Sequence, residues 1–220
     1  MIEALIFDMD GLLFDSERIV QRSWEDAGNE LGIPHMGDQI YHTLGMNRAG
    51  RNEYFARVIR PDFPFEEFGN RARVRFYEIV NAEGLPMKPG ARKLLEYAKQ
   101  NGYKMAVATS SSRDYASSNL KNAGIESYFD GAVFGDMVQK AKPDPEIYLR
   151  ACESIGVRPE FCLALEDAPG GVRSAYAAGM RPIVIPDLVE PTEEILELVY
   201  RKLNSLEEVI PLLEACRGAC

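Results

Sequence analysis

The chain has 220 residues, of which 46% are hydrophobic, so it can bury a sizeable core and hold one domain with an insertion. Its formal net charge of −9 argues against nucleic acid and anionic membranes as partners, because both are bound through basic patches. Its apolar runs fall short of the roughly 20 residues that span a membrane. We therefore expect a soluble protein. The acidic balance does not exclude a small anionic substrate, because local cations can outweigh a distant acidic surface.

The cysteines and the N-terminal residues bear on the compartment. None of the four cysteines shows the paired CxxC spacing of a zinc site. Cys152 and Cys162 lie in apolar stretches, as is typical of buried, reduced side chains. Met1 is followed almost directly by an apolar strand, which leaves no room for a signal peptide. These features predict a cytoplasmic protein, for which a monomer is the default expectation.

The first predicted element is a strand that ends at two carboxylates. The apolar run Leu5–Phe7 is followed by Asp8, Asp10 and Gly11. A buried carboxylate is costly unless it is paired or bound to a cation, and Mg²⁺ prefers carboxylate and carbonyl oxygens. Two acids at one strand end therefore indicate a site for a divalent cation. Gly11 permits the tight turn that follows them.

Residues 16–86 show helical patterns and no strand pattern. Helices are predicted over Glu17–Leu31, from a loop at 44–50 through Val58, and from Phe65 towards Ala82. This stretch is predicted to be an all-helical domain inserted after the first strand. Residues 1–15 and 87–220 would then form the other, discontinuous domain.

From residue 87 onwards, apolar runs alternate with amphipathic helical patterns. Strands are predicted at Lys104–Ala108, Gly131–Phe134, Phe161–Leu165 and Pro182–Ile185. Helices are predicted at Ala91–Gln100, Ser112–Asn122, Pro145–Ile155, Pro169–Ala178, Glu193–Tyr200 and Leu206–Leu213. This alternation predicts an α/β fold with a doubly wound parallel sheet that is covered by helices on both faces.

Polar side chains follow four of the predicted strands. Asp8 ends the first strand, and the hydroxyl run Thr109–Ser112 follows the second. Lys142 follows the third strand, and the acid pair Glu166-Asp167 ends the fourth. Because ligands bind at the carboxyl ends of parallel strands, these groups should converge on one rim of the sheet. The last two serines of the hydroxyl run are interpreted as helix caps.

The spacing of these groups resembles that of the haloacid dehalogenase-like superfamily, in its subgroup of phosphatases and phosphomutases with a helical cap. The motifs that carry the resemblance are Asp8-Met9-Asp10-Gly11, Thr109-Ser110, Lys142-Pro143 and Glu166-Asp167. It extends from Ile2 to about Pro186. It implies a Rossmann-like core, a cap inserted after the first strand, and Mg²⁺-dependent phosphoryl transfer through an aspartyl phosphate.

The resemblance also implies roles for the charged residues. Asp8 would be the nucleophile, and Asp10 would be the general acid that protonates the leaving oxygen and later activates water. Lys142 would neutralise the phosphate and Asp8 together. The Mg²⁺ ion would be held by Asp8, the backbone carbonyl of Asp10 and Asp167, with Glu166 binding directly or through water.

Further residues are implied to bind the substrate. Thr109, the backbone N–H of Ser110, and Lys142 would hold the phosphate oxygens at the start of a helix, beside Gly11. Arg48, at the opening of the second cap helix, matches an arginine that meets the distal part of the substrate in this subgroup. The substrate is expected to be a small phosphorylated metabolite.

Two alternatives to a phosphatase stay open. A mutase resembling β-phosphoglucomutase would need a histidine on the first cap helix, where counting from Asp15 places Val20, which cannot relay a proton. A non-catalytic phosphate-binding relative should have lost a motif acid or the motif lysine, and all of them are present. The prediction is therefore a magnesium-dependent phosphatase of a sugar phosphate or a nucleoside-like monophosphate.

Overall fold

A computed structural model describes residues 2–43, 46 and 48–218, and the chain divides into two compact units. One unit comprises Met1–Asp15 and Pro86–Cys220, and the other comprises Ser16–Leu85. Pro86 thus joins the larger unit, one residue from the predicted boundary. That the units act as catalytic core and cap stays a prediction. Within the described ranges, no helix is both long enough and apolar enough to cross a bilayer.

The larger unit is built on a six-stranded sheet in which all neighbouring strands run parallel. The strands are β1 Ala4–Phe7, β2 Lys104–Ala108, β3 Gly131–Val133, β4 Cys162–Glu166, β5 Arg181–Val184 and β6 Arg201–Lys202. Their order in the sheet is β3-β2-β1-β4-β5-β6. Chain order therefore reverses at β1, which lies between β2 and β4. At such a switch point a crevice forms outside the carboxyl ends of the strands.

The smaller unit is helical throughout its described regular structure. Its helices are α1 Ser16–Glu30, α2 Ile40–Thr43, α3 Arg48–Val58 and α4 Phe65–Glu83. Aromatic rings form its core, with the ring centroids of Phe55 and Phe63 5.0 Å apart and those of Trp24 and Phe68 5.8 Å apart. The aromatic side chains therefore tie α1, α3 and α4 together.

Two details of the smaller unit differ from the prediction. The short helix α2 was not predicted, because four residues are too few to show a helical period. Helix α3 already begins at Arg48, inside the predicted loop 44–50. Residues 44, 45 and 47 of that loop lie outside the described residues.

Helices cover both faces of the sheet. In the larger unit they are α5 Ala91–Gln100, α6 Arg113–Asn122, α7 Glu146–Ile155, α8 Pro169–Ala177, α9 Glu193–Leu196 and α10 Val209–Gly218. All four residues of β1 are fully buried, although successive side chains point to opposite faces. The predicted α/β class, with its doubly wound parallel sheet and helical insertion, is confirmed.

The last part of the sheet corrects the prediction. Glu193–Tyr200 was predicted to be one helix, but α9 ends at Leu196 and the chain then forms the edge strand β6. Backbone bonds at the two ends of β6 attach it to β5, since the N–H of Tyr200 donates to the carbonyl of Pro182 at 2.7 Å. The predicted helix Leu206–Leu213 is a 3₁₀ turn that leads into α10.

The chain leaves and re-enters the larger unit at adjacent points. The N–H of Asp15 donates to the carbonyl of Pro86 at 2.8 Å, and the N–H of Lys88 donates to the carbonyl of Leu13 at 2.8 Å. The segments that flank the insertion are thus hydrogen-bonded to each other within the larger unit. The turn at Gly11, with Asp8 and Asp10 before it, lies in the larger unit.

Candidate active site

The first carboxylate lies at the end of β1. The N–H of Asp8 donates to the carbonyl of Leu165 at 3.0 Å, which continues the pairing of β1 with β4 by one residue. This bond fixes the backbone at the crevice, and the Asp8 residue is only 7% exposed. Asp10 follows on the turn and is half-buried. The two acids predicted to share this rim therefore do so.

Lys142 connects the ends of three strands. Its Nζ donates to Oδ1 of Asp8 at 2.6 Å, to Oε1 of Glu166 at 2.7 Å and to the carbonyl of Ala108 at 3.0 Å. The lysine side chain is 9% exposed, so both ion pairs lie out of bulk water. Asp8, Lys142 and Glu166, predicted separately from three motifs, form one buried charge network.

Burial and charge act against each other in this network. Burial raises the pKa of Asp8 to about 7 against the attraction of Lys142, and the negative charge of Glu166 adds to the rise. Burial alone would lower the pKa of Lys142, but the charges of Asp8 and Glu166 outweigh it and raise that pKa above its ordinary value. The lysine is therefore charged, and one cation faces two carboxylates.

Glu166 is held by a residue that the sequence did not indicate. The hydroxyl of Tyr148, which is fully buried on α7, donates to Oε1 of Glu166 at 2.5 Å. Burial and the charge of Glu166 raise the pKa of Tyr148 well above its ordinary value, so the phenol keeps its proton and acts as donor. The Nζ of Lys142 also lies 4.9 Å from the centroid of the Tyr148 ring. Tyr148 thus fixes the position of the carboxylate at the end of β4.

The first turn of α8 leaves room for Glu166 only because residue 171 is glycine. A Cβ on Gly171 would lie 1.7 Å from Oε1 of Glu166, whereas a Cβ on Gly170 would meet nothing within 4 Å. We expect Gly171→Ala to push Glu166 away from Lys142 and to lower the free energy of unfolding by about 1–3 kcal/mol. Urea unfolding in the presence of EDTA measures this loss.

Gly170→Ala is the matched control for that substitution. It adds the same methyl group to the same helix turn, in open space, and should leave stability unchanged or raise it by about 0.5–1 kcal/mol. Equal unfolding curves for the two variants would show that Glu166 does not need the position it occupies here.

Three acids form the group that could hold a metal. One oxygen each from Asp8, Glu166 and Asp167 lies within 4.8 Å of the other two. Gly11 makes this approach possible, since a Cβ at this position would lie 2.2 Å from Oδ2 of Asp167, and its φ of +81° suits glycine. Oxygen donors of this kind suit a hard divalent cation.

The hydroxyl residues after β2 lie at the same rim. The N–H of Thr109 donates to the carbonyl of Val133 at 3.1 Å, and the Thr109 residue is 1% exposed. Its Oγ1 accepts the N–H of Ser111 at 3.1 Å, which closes a tight turn before α6. Ser110 lies between them and is exposed. The turn therefore places Thr109 and Ser110 at the rim of the sheet, just before α6, as predicted.

Ser111 was interpreted as a helix cap, and this was wrong. Its Oγ donates to Oδ2 of Asp10 at 2.7 Å. The hydroxyl of Tyr115 on α6 donates to Oδ1 of the same carboxylate at 3.3 Å. Ser112 takes the capping position, although its side chain makes no capping hydrogen bond. Tyr115 was not predicted, because a tyrosine on an amphipathic helix gives no signal of its own.

Arg48 belongs to the smaller unit. It is the first residue of α3, and its side chain is exposed. A contact with the substrate stays a prediction for this residue. The other predicted site residues all lie in the larger unit, at the ends of β1, β2 and β4 or in the segment after β3.

Comparison with known proteins gives matches along nearly the whole chain. Residues 2–179 match the family of haloacid dehalogenase-like hydrolases. The phosphorylated carbohydrates phosphatase of Thermotoga maritima is 32% identical over 214 residues, which cover 97% of this chain and 91% of that protein.

Solved structures show the same architecture. A Thermotoga maritima protein provisionally named β-phosphoglucomutase superposes with a TM-score of 0.80 at 30% identity, covering 97% of this chain and 99% of the other. A CbbY variant from Rhodobacter sphaeroides, in complex with xylulose-(1,5)bisphosphate, has a TM-score of 0.73 at 29% identity and covers 94% and 96%. The similar proteins thus include one that is named as a phosphatase and one that is provisionally named as a mutase.

Proposed function

Because the chain belongs to the haloacid dehalogenase-like hydrolases, we propose that it hydrolyses phosphate monoesters of small sugars in a Mg²⁺-dependent reaction. The family match confirms the resemblance predicted from the four motifs, and with its phosphatase relative it confirms the prediction of a phosphatase enzyme. The observation that carries the proposal is the buried network in which Lys142 bridges Asp8 and Glu166, with Asp167 alongside.

The proposed substrate class draws on two relatives. One is named as a phosphatase of phosphorylated carbohydrates, and another was crystallised with a sugar bisphosphate. Both are similar to this chain over more than nine-tenths of its length. These names favour a sugar phosphate over the nucleoside-like monophosphate that the sequence left open.

The proposed reaction has two steps, and two aspartates carry them. In the first step an oxygen of Asp8 attacks phosphorus while the bond from phosphorus to the leaving oxygen breaks, and Asp10 gives its proton to that oxygen. In the second step Asp10, now a carboxylate, takes a proton from a water whose oxygen attacks phosphorus. The bond between phosphorus and Asp8 then breaks, so that inorganic phosphate leaves and both aspartates return to their starting forms.

The acids at the ends of β1 and β4 fit a Mg²⁺ ion. Asp8, Glu166 and Asp167 would supply side-chain oxygens, and Asp10 its backbone carbonyl. Burial raises the pKa of Asp8, so a second cation beside Lys142 would favour the ionised carboxylate that attack requires. When bound, the ion would neutralise negative charge on Asp8 and the phosphate, which allows the two anions to approach.

The remaining polar groups would bind the phosphate. Thr109 and the backbone N–H of Ser110 would donate to its oxygens from the start of α6, and Lys142 would balance its charge. Gly11 would lie beside the phosphate, on the turn whose missing side chain leaves room for Asp167. Arg48 would contact the part of the substrate beyond the phosphate.

Two other functions fit the site less well than hydrolysis. A mutase is the second candidate because of the named structural relative, but Val20 on α1 offers no proton relay where the resemblance to mutases would require histidine. A non-catalytic phosphate-binding role would make the intact set of Asp8, Asp10, Lys142 and Asp167 unnecessary. Hydrolysis accounts for all of these residues.

The test is phosphate release from a panel of sugar phosphates and nucleoside monophosphates, with Mg²⁺ and with EDTA. We expect inorganic phosphate from sugar phosphates in the presence of Mg²⁺ and none in EDTA. Asp167→Asn should raise the Mg²⁺ concentration for half-maximal rate at least about tenfold, because it removes a proposed ligand. Asp114→Asn, an exposed acid in the first turn of α6, should leave that concentration unchanged.

Three outcomes would go against the proposal. Isomerised sugar phosphate without inorganic phosphate, followed by ³¹P NMR, would assign the protein to the mutases. Full activity in EDTA would show that the reaction does not depend on a metal ion. Failure to hydrolyse any ester, including p-nitrophenyl phosphate, would favour the binding role.

A further inference from the structure

Both oxygens of Asp10 accept hydrogen bonds from hydroxyl groups of one short segment. Ser111 donates to Oδ2 at 2.7 Å and Tyr115 donates to Oδ1 at 3.3 Å. The two donors are four residues apart, on the turn before α6 and in its first turns. Since two donors at opposite oxygens define the plane of a carboxylate, this arrangement fixes the orientation of Asp10 and not merely its location.

The segment that carries these hydroxyls is itself held in place. The N–H of Ser111 donates to Oγ1 of Thr109 at 3.1 Å, and its carbonyl accepts the N–H of Gly135 at 2.8 Å. A Cβ on Gly135 would lie 2.1 Å from the carbonyl oxygen of Ser110, so the two loops meet at backbone distance. The carbonyl of Tyr115 accepts the side-chain amide of Asn119 at 2.9 Å.

We propose that Ser111 and Tyr115 are positioning residues that hold Asp10 in the orientation from which it protonates the leaving oxygen. This inference rests on the proposed phosphatase reaction, in which Asp10 is the general acid. A hydroxyl can donate to a carboxylate and can turn to accept from a carboxylic acid. The same pair therefore supports Asp10 in both protonation states, before and after it transfers its proton to the alcohol.

The hydroxyls of Ser111 and Tyr115 are needed because Asp10 lies on a turn. A half-buried aspartate on a turn has several rotamers available, and only a fixed orientation places its proton on the leaving oxygen. Neither hydroxyl needs to touch the substrate for this purpose. Their removal should therefore impair the step in which Asp10 acts and leave the binding of phosphate intact.

Leaving-group dependence separates this role from a general structural one. The probes are p-nitrophenyl phosphate, whose phenolate leaves readily, and phenyl phosphate, which is similar in size but depends more on protonation. The measured quantity is kcat/KM, which reports the first step alone if leaving-group release is irreversible. In Ser111→Ala with Tyr115→Phe we expect kcat/KM to fall at least about tenfold for phenyl phosphate and less than about threefold for p-nitrophenyl phosphate.

Three controls test whether the effect is specific to these two hydroxyls and to Asp10. Ser112→Ala removes the neighbouring exposed hydroxyl, which makes no capping bond, and should change neither rate. In an Asp10→Ala background, the further loss of Ser111 and Tyr115 should change kcat/KM for phenyl phosphate less than about twofold, because their effect passes through Asp10. The single variant Ser111→Thr keeps a hydroxyl at this position and should retain most of the wild-type kcat/KM for phenyl phosphate.

The outcomes distinguish this inference from the proposed function. Equal losses for both aryl phosphates, or a full effect in the Asp10→Ala background, would overturn the positioning role while hydrolysis stands. Unchanged rates in the double variant would overturn it as well. If Asp10→Ala has the same kcat/KM as the wild type for both aryl phosphates, Asp10 is not the general acid. The proposed mechanism then fails together with this inference.

Discussion

Replacing Asp8 with asparagine is expected to lower kcat for phosphate release by at least about 10³-fold, because the attacking oxygen is lost. The fold should survive. Asparagine has nearly the same shape, and Lys142 keeps its ion pair with Glu166 at 2.7 Å. The measurement is phosphate release under saturating Mg²⁺ and substrate, beside a thermal unfolding curve. Asp114→Asn, on the exposed start of α6, should keep wild-type activity.

When metal is absent, the same substitution is also expected to change how the stability of the protein depends on pH. Burial raises the pKa of Asp8 from 3.8 to about 7, so the folded protein binds this proton more tightly than the unfolded chain does. In EDTA the wild type should therefore lose stability from this group as the pH rises from about 4 through about 7. Asp8→Asn cannot ionise and should show less of this loss. Parallel pH profiles for the two proteins would contradict the effect of burial on Asp8 that is described above.

Replacing Lys142 with alanine is expected to affect both activity and stability. The lysine is the cation shared by Asp8 and Glu166, at 2.6 and 2.7 Å, and its removal leaves two buried carboxylates facing each other. Breaking a buried pair of this kind typically costs about 3–5 kcal/mol of unfolding free energy. We also expect kcat to fall at least about 10³-fold, since the charge that balances the phosphate is lost. Urea unfolding in EDTA and phosphate release in Mg²⁺ measure the two effects separately.

Lys140→Ala is the control for that variant. Lys140 lies two residues away, its side chain is 73% exposed, and its only ion pair among the described residues is with Asp144 at 3.5 Å. Exposed pairs contribute about 0–1 kcal/mol, so this variant should behave nearly as wild type. If the two alanine variants had the same stability and rate, Lys142 would not be the cation that balances Asp8 and Glu166.

Most of the fold follows from patterns that are local in sequence. Apart from Lys104 at the start of β2 and Glu166 at the end of β4, the strands β1, β2 and β4 are apolar runs that are buried on both faces. This signal can be read without knowing the neighbouring strands. The edge strand β6 consists of Arg201 and Lys202, both exposed. Two exposed charged residues show neither an apolar composition nor a period, so the sequence could not reveal their pairing with β5.

The residues of the candidate site also fall into those that the sequence predicts and those that it does not. Asp8, Lys142 and Glu166 could be predicted because each follows or ends a strand, and parallel strands bring their carboxyl ends together. Ser111 and Tyr115 could not, because their partner Asp10 lies 101 and 105 residues away and a hydroxyl before a helix is equally typical of a cap. Their function depends on the orientation of side chains across two loops, and the sequence carries no periodic signal for that.

Gly171 shows a further limit of sequence patterns. A glycine in the first turn of a helix usually reflects backbone freedom, and Gly170 beside it meets nothing within 4 Å. The requirement at residue 171 comes from the carboxylate of Glu166, which occupies the space that a side chain would need. Only the packing of α8 against the end of β4 distinguishes the two positions.

The most direct test of the account is to trap the phosphorylated enzyme. The protein is mixed with Mg²⁺ and p-nitrophenyl phosphate, quenched in acid within the first turnover, reduced with borohydride, digested and mapped by mass spectrometry. An aspartyl phosphate is converted to homoserine by this treatment, and we expect the conversion at Asp8 and its absence in Asp8→Asn. Conversion at another residue, or release of p-nitrophenol in the first turnover with Asp8 unmodified, would contradict the assignment of Asp8 as the nucleophile.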